Sequence, residues 1–184
     1  MEEFDECIFA QALIDKLQQI PAGNDDAYMF HKLAIGLLEF LLWPNLINPV
    51  KEKEIHAGRK RIDIYYTNAA ESGVFYRAHV SPQMRAMRVV VECKNYSKDP
   101  SNPEVDQIAG RFSHSRGRLG LLIFRTTSDY AKLVARCRDT VLDGRGYVLP
   151  LGDTQIMEML RDVARGNRPN IDRRLDALLN DISG

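Results

Sequence analysis

Glu92 and Lys94 are the residues of this chain whose spacing most directly suggests chemistry. They stand two apart in Arg88-Val89-Val90-Val91-Glu92-Cys93-Lys94, and residues i and i+2 of an extended strand leave the same face. A carboxylate and an ammonium are thereby set together at the end of an apolar run, where a buried charge that loses its partner costs about 3–5 kcal/mol. No other Asp/Glu-x-Lys triplet occurs in the chain. Upstream, with 28 residues between, Asp63 lies in a second alternating stretch, Arg61-Ile62-Asp63-Ile64-Tyr65-Tyr66. Pairing of the two strands would let Asp63 and Glu92 converge on one divalent cation. Such hard oxygen ligands suit Mg2+ or Mn2+, which keep several waters and accept phosphate oxygens. The backbone carbonyl of Cys93 is a further candidate ligand. Lys94 would offset charge on an attacking hydroxide or on the phosphorane, and the cation would lower the pKa of its water. The structural alternatives are an ion pair at a strand edge for Glu92 and Lys94, and a solvated carboxylate beside Arg61 for Asp63.

The elements that must hold these residues follow from periodicity. Residues 5–20 carry Ile8, Ala12, Leu13 and Leu17 on one stripe and predict a helix that stops at Pro21-Ala22-Gly23-Asn24. A second helix runs from about Asp25 to Leu42 and ends before Pro44; its second half is apolar nearly all round except for Glu39. Strands are expected over Asn48–His56 and Lys60–Tyr66, with a turn at Ala57-Gly58, and the clearest strand is Met87–Lys94, β-branched and nearly continuous. Thr67–Met87 reads as an inserted connection with a short helix. Asn102-Pro103-Glu104 opens a helix to about Ser115 with Asn102 as N-cap. Then follow a strand over Leu119–Arg125, a helix capped by Ser128 to about Leu142, a strand at Tyr147–Leu151, and helices over 154–164 and 171–182. This order is a mixed-sheet α/β fold.

Length and composition set the frame. The chain has 184 residues, 25 Lys+Arg against 25 Asp+Glu, and 45% hydrophobic residues, which predicts one domain over 1–184 and excludes disorder and fibrous repeats. The longest apolar stretch falls far short of the roughly 20 residues that cross a bilayer. The acidic start, Glu2-Glu3-Phe4-Asp5-Glu6, is unlike a basic leader and points to the cytoplasm. Cys7, Cys93 and Cys137 fit neither a disulfide framework nor a zinc site. The zero net charge conceals segregation: residues 1–50 carry −6, residues 51–118 carry +5 and residues 119–184 carry +1.

The succession of a helix with Glu39, a strand, Gly58-Arg59-Lys60-Arg61-Ile62-Asp63-Ile64, Val89-Val90-Val91-Glu92-Cys93-Lys94-Asn95-Tyr96 and a helix with Gln107 resembles the PD-(D/E)XK nuclease superfamily. The Glu-Cys-Lys triplet and the following Val105-Asp106-Gln107 look most like the Mrr-type restriction endonucleases. The resemblance covers about residues 25–126, the αβββαβ core of that restriction endonuclease-like fold, with the helix over 5–20 and the helices over 154–182 as additions. It implies that Asp63 and Glu92 bind metal, that Glu39 joins them, that Lys94 is the lysine of the triplet and that Gln107 positions water or substrate. Ile62 stands where the motif has Pro. The activity it implies is metal-dependent endonucleolytic cleavage of DNA in restriction, antiphage defence or repair, with target choice supplied by a homodimer, a larger complex or a DNA structure. The rival is a module that keeps the fold and binds nucleic acid or a protein without cutting.

Gln107 and Arg111, at i and i+4, are otherwise the wet side of their helix, and Glu39 is otherwise a buried acid paired with an arginine. Arg59, Arg61, Arg111 and Arg116 suit phosphate contacts, which give sequence-independent affinity, while charged loops are also ordinary solvated surface. His31, His56, His79 and His114 lack zinc-ligand spacing, and no phosphate-binding glycine loop or nucleophile elbow occurs. The +5 stretch coincides with Asp63, Glu92 and Lys94, which predicts DNA binding that gains strength from metal or a partner.

Overall fold

The computed structural model describes residues 4–55 and 60–184; the side chains of 52–55 and 60–62 also lie outside the description, and with them the turn expected at Ala57-Gly58. Two helices come first, α1 (Glu6–Gln19) and α2 (Ala27–Leu42), followed by β1 (Leu46–Ile55), β2 (Lys60–Asn68), α3 (Gly73–Val80) and β3 (Arg88–Lys94). Then come α4 (Asn102–Ala109), β4 (Leu119–Phe124), α5 (Tyr130–Leu142), β5 (Tyr147–Gly152), α6 (Asp153–Ala164) and α7 (Asn170–Ser183). The strands form one sheet in the order β1-β2-β3-β4-β5. The first three pair antiparallel, and β3–β4 and β4–β5 pair parallel. Parallel neighbours need a crossover, and α4 and α5 supply the two.

Burial follows from that topology. Val89, Val90 and Val91 of β3 and all of β4 are buried, as parallel strands covered on both faces must be. β2 alternates instead: Ile64, Tyr66 and Asn68 are buried, while Asp63, Tyr65 and Thr67 are half-buried. Helix α2 covers the Ile64–Tyr66 face, where the Tyr66 hydroxyl donates to the Ile35 carbonyl at 3.4 Å. Helix α4 covers the other face over β3 and β4. It approaches closely because Gly120 has no side chain: a Cβ there would lie 2.7 Å from Ile108 Cδ1.

Several boundaries differ from expectation. The helix after β3 ends at Ala109 rather than near Ser115, and the chain then folds back in a bridge between Ser113 and Gly117. Its cap is Ser101, not Asn102. The Glu104 carboxylate accepts from the Ser101 N–H at 2.8 Å and hydroxyl at 2.9 Å, and this reciprocal box requires the cap three places before the acid. Asp129 rather than Ser128 caps α5, accepting from the Lys132 N–H at 2.9 Å; a carboxylate is the stronger acceptor, and Ser128 donates its N–H to Asp99. The 67–87 connection is tied to the sheet by Asn68, whose amide donates to the Phe75 and Ala86 carbonyls, both at 2.8 Å. Among the described residues no helix is long and apolar enough to cross a membrane.

Candidate active site

Strands β2 and β3 part where the acidic side chains begin. Their paired residues run from Thr67–Arg88 to Ile64–Val91. One step further, the Asp63 carboxylate accepts the Cys93 N–H at 3.1 Å, taking a place that a backbone carbonyl fills in a continuing ladder. Asp63 and Glu92 therefore share one face at the mouth of this divergence. In an extended strand the N–H and C=O of one residue point to the same edge, so the Cys93 carbonyl also faces β2.

Glu92 is fully buried. Its Oε1 accepts from Lys94 Nζ at 2.9 Å and from the Gln107 amide, and Lys94 Nζ also donates to Gln107 Oε1 at 3.1 Å. Lys94, Glu92 and Gln107 thus close a three-membered ring of hydrogen bonds. The α4 axis makes it: Gly120 admits Ile108, which brings Gln107 of the preceding position onto β3. Of the two readings of Gln107, a site residue or the wet side of its helix, these contacts favour the first, and helical spacing alone does not distinguish them.

The electrostatics are strained in one direction. Burial pushes the Glu92 carboxyl above the usual range, and the charge of Asp63 pushes it further, against the opposing pull of Lys94 and Arg111. For Lys94 burial works against the ammonium, but the charge and hydrogen bond of Glu92, with Tyr96 and Asp63, outweigh it and raise its pKa. Burial, then Asp63 and Glu92, hold the Cys93 thiol well above its ordinary value, which leaves Cys93 only its carbonyl as a ligand for a hard cation. The Glu92 Oε2 is buried without a hydrogen-bond partner. A charged carboxylate oxygen in that position is costly unless a proton or a cation lies against it. Two carboxylates with an oxygen to spare fit Mg2+, which binds through one or two such groups, waters and phosphate oxygens.

Compared with solved structures, the chain is similar to the restriction endonuclease FokI bound to DNA, with a TM-score of 0.53 and 10% sequence identity over 98% of this chain and 34% of that one. The fold is restriction endonuclease-like. The chain spans about a third of the FokI chain's length, and at this identity the likeness establishes the fold alone. No protein-family model and no curated protein matches the sequence.

Within this restriction endonuclease-like fold the expected residues are placed unequally. Asp63, Glu92, Lys94 and Gln107 are brought together. Glu39 is exposed on α2; its charge, after burial, raises the pKa of Tyr66, whose side chain leaves β2 on the face opposite Asp63. Among the described residues no third His, Cys, Asp or Glu side chain forms a metal-holding group with Asp63 and Glu92, so the structure does not gather Glu39 with them. Arg111 is near enough to act on Glu92, and its Nε is buried without a partner. Arg116 lies beyond it, with its guanidinium on the Arg111 carbonyl at 3.0 and 2.9 Å. Arg59 and the Arg61 side chain lie outside the described residues.

Sequence reasoning passed over Asn95, the residue after Lys94. Its amide donates to the Pro21 and Gly23 carbonyls at 3.1 and 2.6 Å, and its oxygen accepts from Arg125 at 2.9 Å, which fixes the end of β3. A polar residue directly after an apolar strand is too common a pattern to have revealed it.

Proposed function

We propose that this chain is a metal-dependent endonuclease that hydrolyses phosphodiester bonds in DNA. The observation that carries the reading is the Asp63–Glu92 pair at the parting of β2 and β3, with Lys94 and Gln107 on Glu92 and one Glu92 oxygen left unpartnered. Asp63, Glu92 and the Cys93 carbonyl would hold Mg2+ or Mn2+. When bound, such a cation polarises the phosphoryl oxygens and makes water a stronger nucleophile.

The residues of the chain do the remaining work. Lys94, held protonated beside the carboxylates, places a fixed positive charge where the scissile phosphate gains negative charge, in a largely buried site where the interaction is stronger than in bulk water. Gln107 holds Lys94 and Glu92 in one geometry, since it bonds to both. Arg111 adds positive charge on the α4 side. The Glu-Cys-Lys triplet resembles that of the Mrr-type restriction endonucleases, and the chain would act as a single nuclease domain in the cytoplasm, in restriction, antiphage defence or repair, with a homodimer or a larger complex choosing the target.

Incubation of circular and linear DNA with Mg2+, Mn2+ or EDTA tests this. Cleavage by the wild type with metal, and its loss in Glu92→Ala and Lys94→Ala, is the expected result. Undiminished cutting in both variants would overturn the mechanism, and tight binding with no cutting under any metal would make the chain a binding module.

A further inference from the structure

Among the described residues the arginines divide into those that meet a carboxylate and those that do not. Arg136, Arg138, Arg161, Arg165 and Arg173 lack one, but residues 85–118 are a stretch in which every arginine does. Arg77, Arg145, Arg168 and Arg174 each meet a carboxylate, Asp176, Asp106, Glu6 and Glu158 respectively. Among the described residues, Arg85, Arg88, Arg111, Arg116 and Arg118 meet none within ion-pairing distance. Arg88 donates to the Tyr65 and Thr67 hydroxyls, Arg118 reaches only the Gly144 carbonyl at 3.4 Å, and Arg85 Nη1 lies 3.1 Å from His114 Nε2.

Two of these arginines line one cavity with His114. Arg85, His114 and Arg118, with Gln83, Ser113 and Gly117, surround about 230 Å3 at the amino-terminal ends of β3 and β4. This is below the roughly 300–1,000 Å3 that enclose a drug-sized ligand, so the space suits one small oxyanion. It is also held in place at some conformational cost. Arg85 has a φ of 44°, sparsely populated for a residue with a side chain. Gly117 has a φ of 101°, and a Cβ there would lie 2.5 Å from the Arg85 carbonyl. The two segments are locked by the Arg88 N–H on the Arg116 carbonyl at 2.9 Å and the Arg118 N–H on the Met84 carbonyl at 2.8 Å. The nearby Asp106 is committed to Arg145, so it does not neutralise the cavity.

We propose that Arg85, His114 and Arg118 form a second phosphate subsite, which holds the backbone of the DNA strand more than one phosphate from the cut; this rests on the nuclease reading above. The half-buried residues Asp63, Tyr65 and Thr67 lead along one face of β2 from the catalytic carboxylates to Arg88, whose backbone N–H is bonded to Arg116 in the segment that carries His114 and Arg118. Arg88 and Glu92 are four positions apart on β3, about 13 Å at ~3.3 Å per residue. Phosphates of one strand advance only ~3.4 Å along the duplex axis, so the subsite lies more than one phosphate from the cut.

The test measures duplex affinity by fluorescence anisotropy in EDTA across a series of KCl concentrations. Arg85→Ala/Arg118→Ala is expected to weaken binding and lower the slope of log K against log[salt] by about 1, the value for one lost phosphate contact. Arg173→Ala, a surface arginine elsewhere, should leave the slope unchanged. Arg85→Lys/Arg118→Lys should recover part of the loss, and melting curves exclude misfolding as its cause. An unchanged slope in the double variant, with wild-type protein that binds and cuts, overturns the subsite alone. Inorganic phosphate that raises the wild-type Tm but not the variant's, with duplex binding unaltered, overturns it in favour of a small phosphorylated ligand. Wild-type protein that neither binds nor cuts overturns both this inference and the nuclease reading.

Discussion

Two buried ion pairs stand at the carboxyl ends of neighbouring strands, Lys94–Glu92 on β3 and Arg125–Asp153 beyond β4 and β5, and their surroundings differ. Arg125 is saturated: Nε on Asp153 at 2.8 Å, Nη1 on the Ile20 carbonyl at 2.7 Å and on Asn95 at 2.9 Å, Nη2 on the Leu17 carbonyl at 3.3 Å, and the plane near the Phe30 ring. Each acid keeps one oxygen without a partner, and burial raises both pKa values. What separates the pairs is Asp63. A second carboxylate pushes on Glu92, and none is among the groups that act on Asp153. One pair joins α1, the end of β3 and α6; the other concentrates negative charge that an added cation would relieve.

The largest effects should divide along that line. Arg125→Ala strands Asp153 and two backbone carbonyls in the interior, and chemical denaturation should show a loss of about 3–5 kcal/mol. Lys94→Ala strands no backbone carbonyl and leaves Glu92 the Gln107 amide as a donor, so its stability loss should be smaller, while cleavage falls about 10²–10³-fold. Equal stability losses, or an active Lys94→Ala, would break the distinction.

Next in size is Gln107→Ala. A residue that orients metal ligands from behind typically contributes about 10–100-fold, and single-turnover cleavage should fall by that range with little change in Tm. Glu104, on the same helix but turned to its own cap, is the contrast. Glu104→Ala should cost about 1 kcal/mol of stability and leave the cleavage rate as in the wild type. A reversal of these two outcomes would show that α4 acts on the site as a rigid body and not through Gln107.

The fold was legible where burial imposes a pattern. The Val-Val-Val run of β3, the all-apolar β4 and the alternation of β2 each state how many faces are covered, and Glu92-x-Lys94 states that two charges share a face. Helix ends were legible to within a residue or several, because caps are decided by which of several adjacent polar side chains finds the N–H groups. Ser101 against Asn102 and Asp129 against Ser128 are cases of this. The tertiary contacts of single polar residues were not legible. That Gln107 turns inward depends on Gly120, 13 positions later, and that Glu39 stands apart depends on the face of the sheet that α2 covers. The Arg85–His114–Arg118 cavity depends on a turn where the sequence suggested continuing helix.

The smallest effect tests the comparison by its sign. With the Glu92 pKa raised in the folded state, the native chain keeps a proton to higher pH than the unfolded chain does. The stabilisation is complete below the unfolded carboxyl pKa and is lost as pH rises through the raised value. Without metal, stability should therefore decline with pH across the window that starts in the ordinary carboxylate range and ends at the raised pKa. Asp63→Asn keeps an acceptor for the Cys93 N–H but removes the second charge, so the decline should shrink in EDTA even though cleavage is lost. Added Mg2+ should flatten the wild-type decline and leave that of Asp63→Asn nearly as it was, because one carboxylate holds the cation poorly. Denaturation midpoints from pH 4 to 8, with EDTA or Mg2+, measure all of these slopes. An Asp63→Asn profile parallel to that of the wild type would mean that Asp63 does not press on Glu92, and the two ion pairs would then be of one kind.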